Sequence, residues 1–114
     1  MSVVIYHNPR CSKSRQTLEL LEEKNIQPEV IKYLDAPLNI EQLKTLYAQL
    51  EVTDVRAMMR TKEDLYNELN LADASEEQLF TAMAKHPKLI ERPIVVANGK
   101  AKHGRPPEQV LTIL

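Results

Sequence analysis

The sequence predicts an α/β fold in which a β-α-β unit and a β-β-α unit share one four-stranded mixed sheet, with a helical insertion between them at about residues 39–87. Three observations carry that prediction. Short β-branched runs alternate with a helix-period segment near the N-terminus, an Asn98-Gly99 pair joins two extended runs near the C-terminus, and the 114 residues suit a single domain.

Val3-Val4-Ile5-Tyr6 is β-branched and aromatic and is stopped by Asn8-Pro9, so it reads as a buried strand. From Ser12 the period turns helical, with Leu18 and Leu21 on one face and Glu22, Glu23 and Lys24 opposite. Gln27-Pro28 ends that helix ahead of a second strand over Glu29-Val30-Ile31-Lys32-Tyr33. A strand, a helix and a strand in so short a span make a βαβ unit with a right-handed crossover and parallel strands.

Asn39, with Gln42 three residues on, has the form of a capping box ahead of the stripe Ile40, Leu43, Leu46, Tyr47 and Leu50. Shorter helical stretches follow at Val55–Met59 and Glu63–Leu69. Ser75 with Gln78 is a second capping box, opening a helix that runs to about Lys85 and ends at His86-Pro87. After Pro93 the period returns to strand: Ile94-Val95-Val96, the Asn-Gly turn, then Lys100-Ala101-Lys102. Gly104-Arg105-Pro106-Pro107 opens a last helix carrying Val110, Leu111 and Leu114, with proline in its first turn. There is no internal repeat, low-complexity tract or linker. The whole is the thioredoxin-like layout, read as one domain over 1–114.

Composition narrows the function classes. A hydrophobic content of 43% with 27% charged residues is that of a globular protein, and no apolar run approaches a membrane span. Met1 leads almost directly into the first strand with no charged n-region or h-region, so no secretory signal is expected. The single cysteine excludes an internal disulfide framework and a cysteine zinc cage, and points to a reducing, cytoplasmic setting. A net charge of −1 gives no field for nucleic acid, and nothing suggests more than a monomer. The distribution is uneven, however. His7, Arg10, Lys13 and Arg15 cluster at one end and Arg92, Lys100, Lys102, His103 and Arg105 at the other, while residues 63–84 carry six acids and no Lys or Arg. A fold that joins the two ends creates a small electropositive site.

The sharpest local feature is Tyr6-His7-Asn8-Pro9-Arg10-Cys11-Ser12-Lys13-Ser14-Arg15. It places Cys11 at the strand-to-helix junction, where unpaired N–H groups, the helix macrodipole and nearby cations favour a thiolate. A Cys-x5-Arg phosphatase loop would need Arg at 17, where Thr17 stands, and a redox Cys-x-x-Cys would need cysteine in place of Ser14. With two glycines there is no Walker A loop. His7, His86 and His103 lack metal-ligand spacing, so no metal is implied; a solvated or capping role suits the last two.

His7-Asn8-Pro9-x-Cys11-x-x-Ser14-Arg15 resembles the active-site loop of the glutaredoxin-dependent arsenate reductase (ArsC) family. Arg56-Ala57-Met58-Met59-Arg60, Glu91-Arg92-Pro93-Ile94-Val95-Val96 and Gly104-Arg105-Pro106 extend that resemblance in order along the chain, with particular likeness to the YfgD-like branch. The resemblance implies Cys11 as catalytic nucleophile, Arg60, Arg92 and Arg105 as oxyanion-binding residues, and His7, Ser14 and Arg15 as support for the thiolate. Asn8 and a cis Pro93 would be structural at the site. It implies reduction of arsenate to arsenite through a thioarsenate on Cys11, with no bound cofactor. Glutathione would serve as co-substrate and glutaredoxin as partner, since the chain has no second cysteine to resolve the adduct.

The flanking Arg10, Ser12 and Lys13 depart from the small residues of the resistance-operon enzymes. They leave open a glutathione-linked thiol oxidoreductase or redox sensor with another substrate. A third reading is an Spx-like interaction module that binds RNA polymerase, against which Ser14 in place of a second cysteine argues.

Overall fold

The sheet is built on β1, Val3–Tyr6. Ile5 of β1 sits between Val30 of β2 (Glu29–Ile31) and Val95 of β3 (Ile94–Ala97), so three β-branched residues lie side by side across neighbouring strands. β2 runs parallel to β1, β3 runs antiparallel to it, and β4 (Lys100–His103) runs antiparallel to β3, in the order β2-β1-β3-β4. This computed structural model describes residues 2–114, and the mixed thioredoxin-like sheet expected from the sequence is present.

The parallel β1–β2 pair requires a crossover, which α1 (Ser12–Glu23) supplies. α1 and the C-terminal segment pack on the sheet over Val3, Ile5, Leu21, Val95, Ala97, Val110 and Ile113. The buried stripe of α1 is Ser14, Thr17 and Leu21, spaced i, i+3, i+7, with Leu18 only half-buried. Two polar residues in that stripe are the first sign that this helix face serves more than packing. At the hairpin, Asn98 and Gly99 take φ of 55° and 76°, as the Asn-Gly pair predicts.

Two segments differ from expectation. β2 ends at Ile31, because the Lys32 carbonyl accepts from the Asp35 and Ala36 N–H groups and turns the chain out of the sheet. The last helix is a 3-10 helix, Pro107–Ile113, held by bonds such as Gln109 N–H to Pro106 O. Its three-residue turn puts Pro107, Val110 and Ile113 on the buried edge. Leu111, expected in the apolar stripe, is 36% exposed.

The described chain divides into two compact units: residues up to Ala36 with Arg92–Leu114, and Pro37–Glu91. The second contains the expected helical insertion. There α2 (Ile40–Leu50) and α4 (Glu76–Lys85) both open on complete capping boxes, from Asn39 with Gln42 and from Ser75 with Gln78. They meet through an edge-to-face contact of Tyr47 and Phe80, centroids 5.8 Å apart, beside a Lys44–Glu77 ion pair. The stretches expected at Val55–Met59 and Glu63–Leu69 form a 3-10 turn, Val55–Met58, and the short α3, Asp64–Glu68. Arg56 fastens this unit: its guanidinium donates to Tyr66 Oη and to the carbonyls of Leu71, Ala72 and Ala74 at 2.9 to 3.1 Å. It spans the 3-10 turn Leu71–Asp73 and the approach to α4, where backbone carbonyls lack helical partners.

Candidate active site

Strand register decides which loops meet. Tyr6 pairs with Ile94 and Ile94 pairs with His103, so the exit of β1, the entry of β3 and the exit of β4 lie at one end of the sheet. Those three points carry His7 to Cys11, Arg92-Pro93 and Gly104-Arg105 respectively. The basic loop after β1 thus meets Arg92 and Arg105 at one end of the sheet, the condition under which the two basic ends make an electropositive site.

The loop after β1 is closed by its own backbone. Asn8 O accepts from Cys11 N–H at 3.0 Å and Asn8 Oδ1 accepts from Arg10 N–H at 3.0 Å, which turns the chain into α1. Arg15 Nη1 donates to Pro9 O at 2.9 Å, so this arginine supports the loop's shape. Ser14 Oγ accepts from Asn8 N–H at 3.0 Å and lies 2.6 Å from His7 Nδ1, both residues being buried.

Cys11 is the N-cap of α1, with φ −93° and ψ 124°, and is 8% exposed. An N-cap side chain faces the N–H groups of the second and third helical residues, here Lys13 and Ser14. The neutral thiol, a weak acceptor, makes no cap hydrogen bond, but those N–H groups favour the charged sulfur. Arg105 Nη2 lies 3.6 Å from Cys11 Sγ, and Arg105 Nε donates to Arg92 O at 2.7 Å. Burial by itself pushes the Cys11 thiol up. The Ser14 N–H, the Arg92 guanidinium, the Lys13 N–H and the Arg105 guanidinium together outweigh it, and the thiol ionises below its ordinary value. His7 is held below the usual imidazole range by burial and by the Lys32 and Arg15 charges, so its ring is neutral beside Ser14.

A buried thiol at a helix N-terminus, with Arg105 Nη2 at 3.6 Å and the Arg92 charge acting on it, makes an electropositive thiol site on one compact unit. The ArsC family profile matches residues 6–113 of this sequence. The chain belongs to the ArsC family. It is 68% identical to a solved arsenate reductase from Vibrio cholerae, which covers 100% of this chain and is itself 98% covered, with a TM-score of 0.99. Uncharacterised protein YfgD of Escherichia coli (strain K12) is 60% identical over 114 residues, 98% of this chain and 96% of that protein. An arsenate reductase of Haemophilus influenzae is 55% identical over 116 residues, the full length of both.

Of the residues that the ArsC resemblance singles out, the first unit brings together Cys11, His7, Asn8, Ser14, Arg92, Pro93 and Arg105. The Arg92–Pro93 peptide is cis, as expected, and Arg105–Pro106 is cis as well. Arg60 belongs to the second unit, where its N–H donates to Leu89 O at 2.7 Å and its guanidinium pairs with Glu63. Ser14 faces the sulfur with its backbone N–H, while its hydroxyl serves His7 and Asn8.

Sequence reading passed over Thr17 except as the residue that breaks a phosphatase motif. It is fully buried and its Oγ1 donates to Lys13 O at 2.8 Å. The spacing Ser14, Thr17, Leu21 was the available signal. Among the described residues no group of three or more His, Cys, Asp or Glu is placed to hold a metal ion, and no helix is long and apolar enough to cross a membrane. A groove of about 310 Å³ beside α1 is lined by Lys13, Gln16, Leu20, Pro106, Pro107 and Glu108.

Proposed function

We propose that this protein reduces arsenate to arsenite, with Cys11 as nucleophile and glutathione and glutaredoxin as external thiols. The observation that carries the reading is the Cys11 sulfur at the α1 N-terminus, 3.6 Å from Arg105 Nη2, in a chain of the ArsC family. An arsenate oxyanion carries its charge on oxygens that guanidinium forks grip bidentately; Arg105 stands beside the sulfur that must attack arsenic, and the Arg92 charge acts on that sulfur.

In this mechanism the Cys11 thiolate bonds to arsenic(V) and one arsenate oxygen leaves as water after protonation, giving a thioarsenate on Cys11. A glutathione thiolate then attacks the Cys11 sulfur. The sulfur–arsenic bond breaks with its electron pair remaining on arsenic, which departs as arsenite, and Cys11 is left as a mixed disulfide with glutathione. Glutaredoxin takes that glutathione and restores the thiolate. Two thiols are oxidised to a disulfide for each arsenic reduced by two electrons. The groove along α1, with the Lys13 ammonium at its Cys11 end, offers a cation to a carboxylate of the incoming tripeptide. The resemblance adds Arg60 as a third anion-binding residue.

The deciding experiment is arsenite formation from arsenate with glutathione and glutaredoxin, by wild type, Cys11→Ser and Arg60→Lys. Turnover by wild type, none by Cys11→Ser and a reduced rate for Arg60→Lys are expected. No arsenite from a wild-type protein that still forms a Cys11–glutathione disulfide would replace this reading with that of a thiol transferase acting on another substrate.

A further inference from the structure

The chain's two glycines are glycine for opposite reasons. Gly99 turns the hairpin at φ 76° with open space where a Cβ would lie, so backbone conformation demands it. Gly104 has no left-handed φ. A Cβ there would run into Thr17 Oγ1 and lie 2.8 Å from Pro93 Cγ and 3.0 Å from Thr17 Cγ2. Space alone makes residue 104 glycine: the end of β4 is closed onto α1 at that point.

This contact is tied to both sides of the Cys11 sulfur. On the helix side, Thr17 Oγ1 donates to Lys13 O at 2.8 Å, bracing the first turn whose Lys13 and Ser14 N–H groups face the sulfur. On the strand side, Gly104 N–H donates to Pro93 O at 3.0 Å and Arg105 Nε donates to Arg92 O at 2.7 Å. Residues 104 and 105 thus grip two consecutive carbonyls, and Arg105 Nη2 reaches across to Cys11 Sγ at 3.6 Å. Thr17 is β-branched, fully buried and fixed by its own hydrogen bond, and the Pro93 ring is rigid, so neither gives way to a new methyl group. The displaced partner is the backbone at 104, which carries Arg105.

We propose that Gly104 and Thr17 form a steric key that positions Arg105 over the Cys11 sulfur: the missing side chain at 104 lets the end of β4 seat against Thr17, and that seating sets the reach of the Arg105 guanidinium. The proposal rests on Cys11 being the nucleophile of the reading above. Gly104 and Thr17 touch neither sulfur nor anion. They are positioning residues acting through Arg105.

The test is the Cys11 thiolate absorbance as a function of pH in wild type, G104A, R105A, G104A/R105A and T17A/G104A, with folding of each checked by circular dichroism. G104A is expected to make the thiol about tenfold harder to ionise, a midpoint about one pH unit higher. G104A/R105A is expected to titrate like R105A alone, because the glycine acts through the arginine, and T17A/G104A to regain part of the wild-type midpoint. A folded G104A with the wild-type midpoint overturns the proposal, as do G104A and R105A effects that simply add. If G104A does not fold, T17A/G104A decides: a folded protein whose midpoint lies between those of wild type and R105A, or nearer wild type, supports the key, while an R105A-like midpoint or an unfolded protein overturns it. A wild-type thiol at the ordinary value would instead sink the activated nucleophile itself, before any variant is compared.

Discussion

Arg105 Nη2 and Cys11 Sγ lie 3.6 Å apart although 94 positions separate them in the chain. The same guanidinium is anchored through Nε to Arg92 O, so its direction is fixed while one edge remains toward the sulfur. A fork held this way favours the thiolate and can grip an oxyanion held at the sulfur. Arg105→Lys keeps the charge and loses the fork. The Cys11 midpoint should rise by less than in the alanine variant, while the arsenate concentration needed to shift that midpoint should rise about tenfold. An unchanged arsenate dependence would remove Arg105 from anion binding.

Ser14 separates two roles that its position combines. Its N–H faces the sulfur, whereas its hydroxyl takes Asn8 N–H at 3.0 Å and meets His7 Nδ1 at 2.6 Å, fully buried. Ser14→Ala keeps the amide and strips partners from two interior groups, which costs about 1–3 kcal/mol. We expect a lower urea midpoint with the thiol titration nearly retained. A large rise in the thiol midpoint with stability intact would reverse the assignment and put the hydroxyl on the sulfur.

The lowered Cys11 ionisation also makes stability depend on pH. Between the folded thiol's ionisation and the ordinary thiol value, the unfolded chain holds a proton that the folded chain has released, so stability rises with pH across that window. The gain is complete above the ordinary value and is lost as pH falls through the folded one. Cys11→Ser removes it. The difference in urea stability between wild type and variant should grow across the window and stay flat on its acid side. A constant difference at every pH would mean that folding does not favour the thiolate.

Arg56 looks like a site residue because it sits in a motif shared with Arg60, but its contacts are structural. Its bonds to the Leu71, Ala72 and Ala74 carbonyls and to Tyr66 Oη hold the chain between the Val55–Met58 turn and α4. Arg56→Lys cannot reproduce a planar fork serving several carbonyls, and should lower stability by about 2 kcal/mol, read from the denaturant midpoint. Stability equal to wild type would show that water replaces those bonds without cost.

The local elements could be read from the chain because their causes are local. Asn39 with Gln42 and Ser75 with Gln78 close capping boxes within one turn, Asn98-Gly99 makes its own hairpin, and β-branched runs mark β1 and β3. Cys11 at the start of a helix, with cations beside it in sequence, already pointed to an activated thiol. The last helix departs from the 3.6-residue period its sequence predicts, because the choice between three and 3.6 residues per turn rests on packing of Val110 and Ile113 against the sheet.

What the chain could not disclose by itself is which arginines face the sulfur and why residue 104 has no side chain. Both depend on strand register. Tyr6 opposite Ile94 and Ile94 opposite His103 bring residues 11, 92 and 105 to one end of the sheet, and the same register seats Gly104 against Thr17. Propensity and capping act over a few residues. A charge acting across 94 positions, or a Cβ excluded by a side chain far away in sequence, exists only once the sheet has closed and the distances are set.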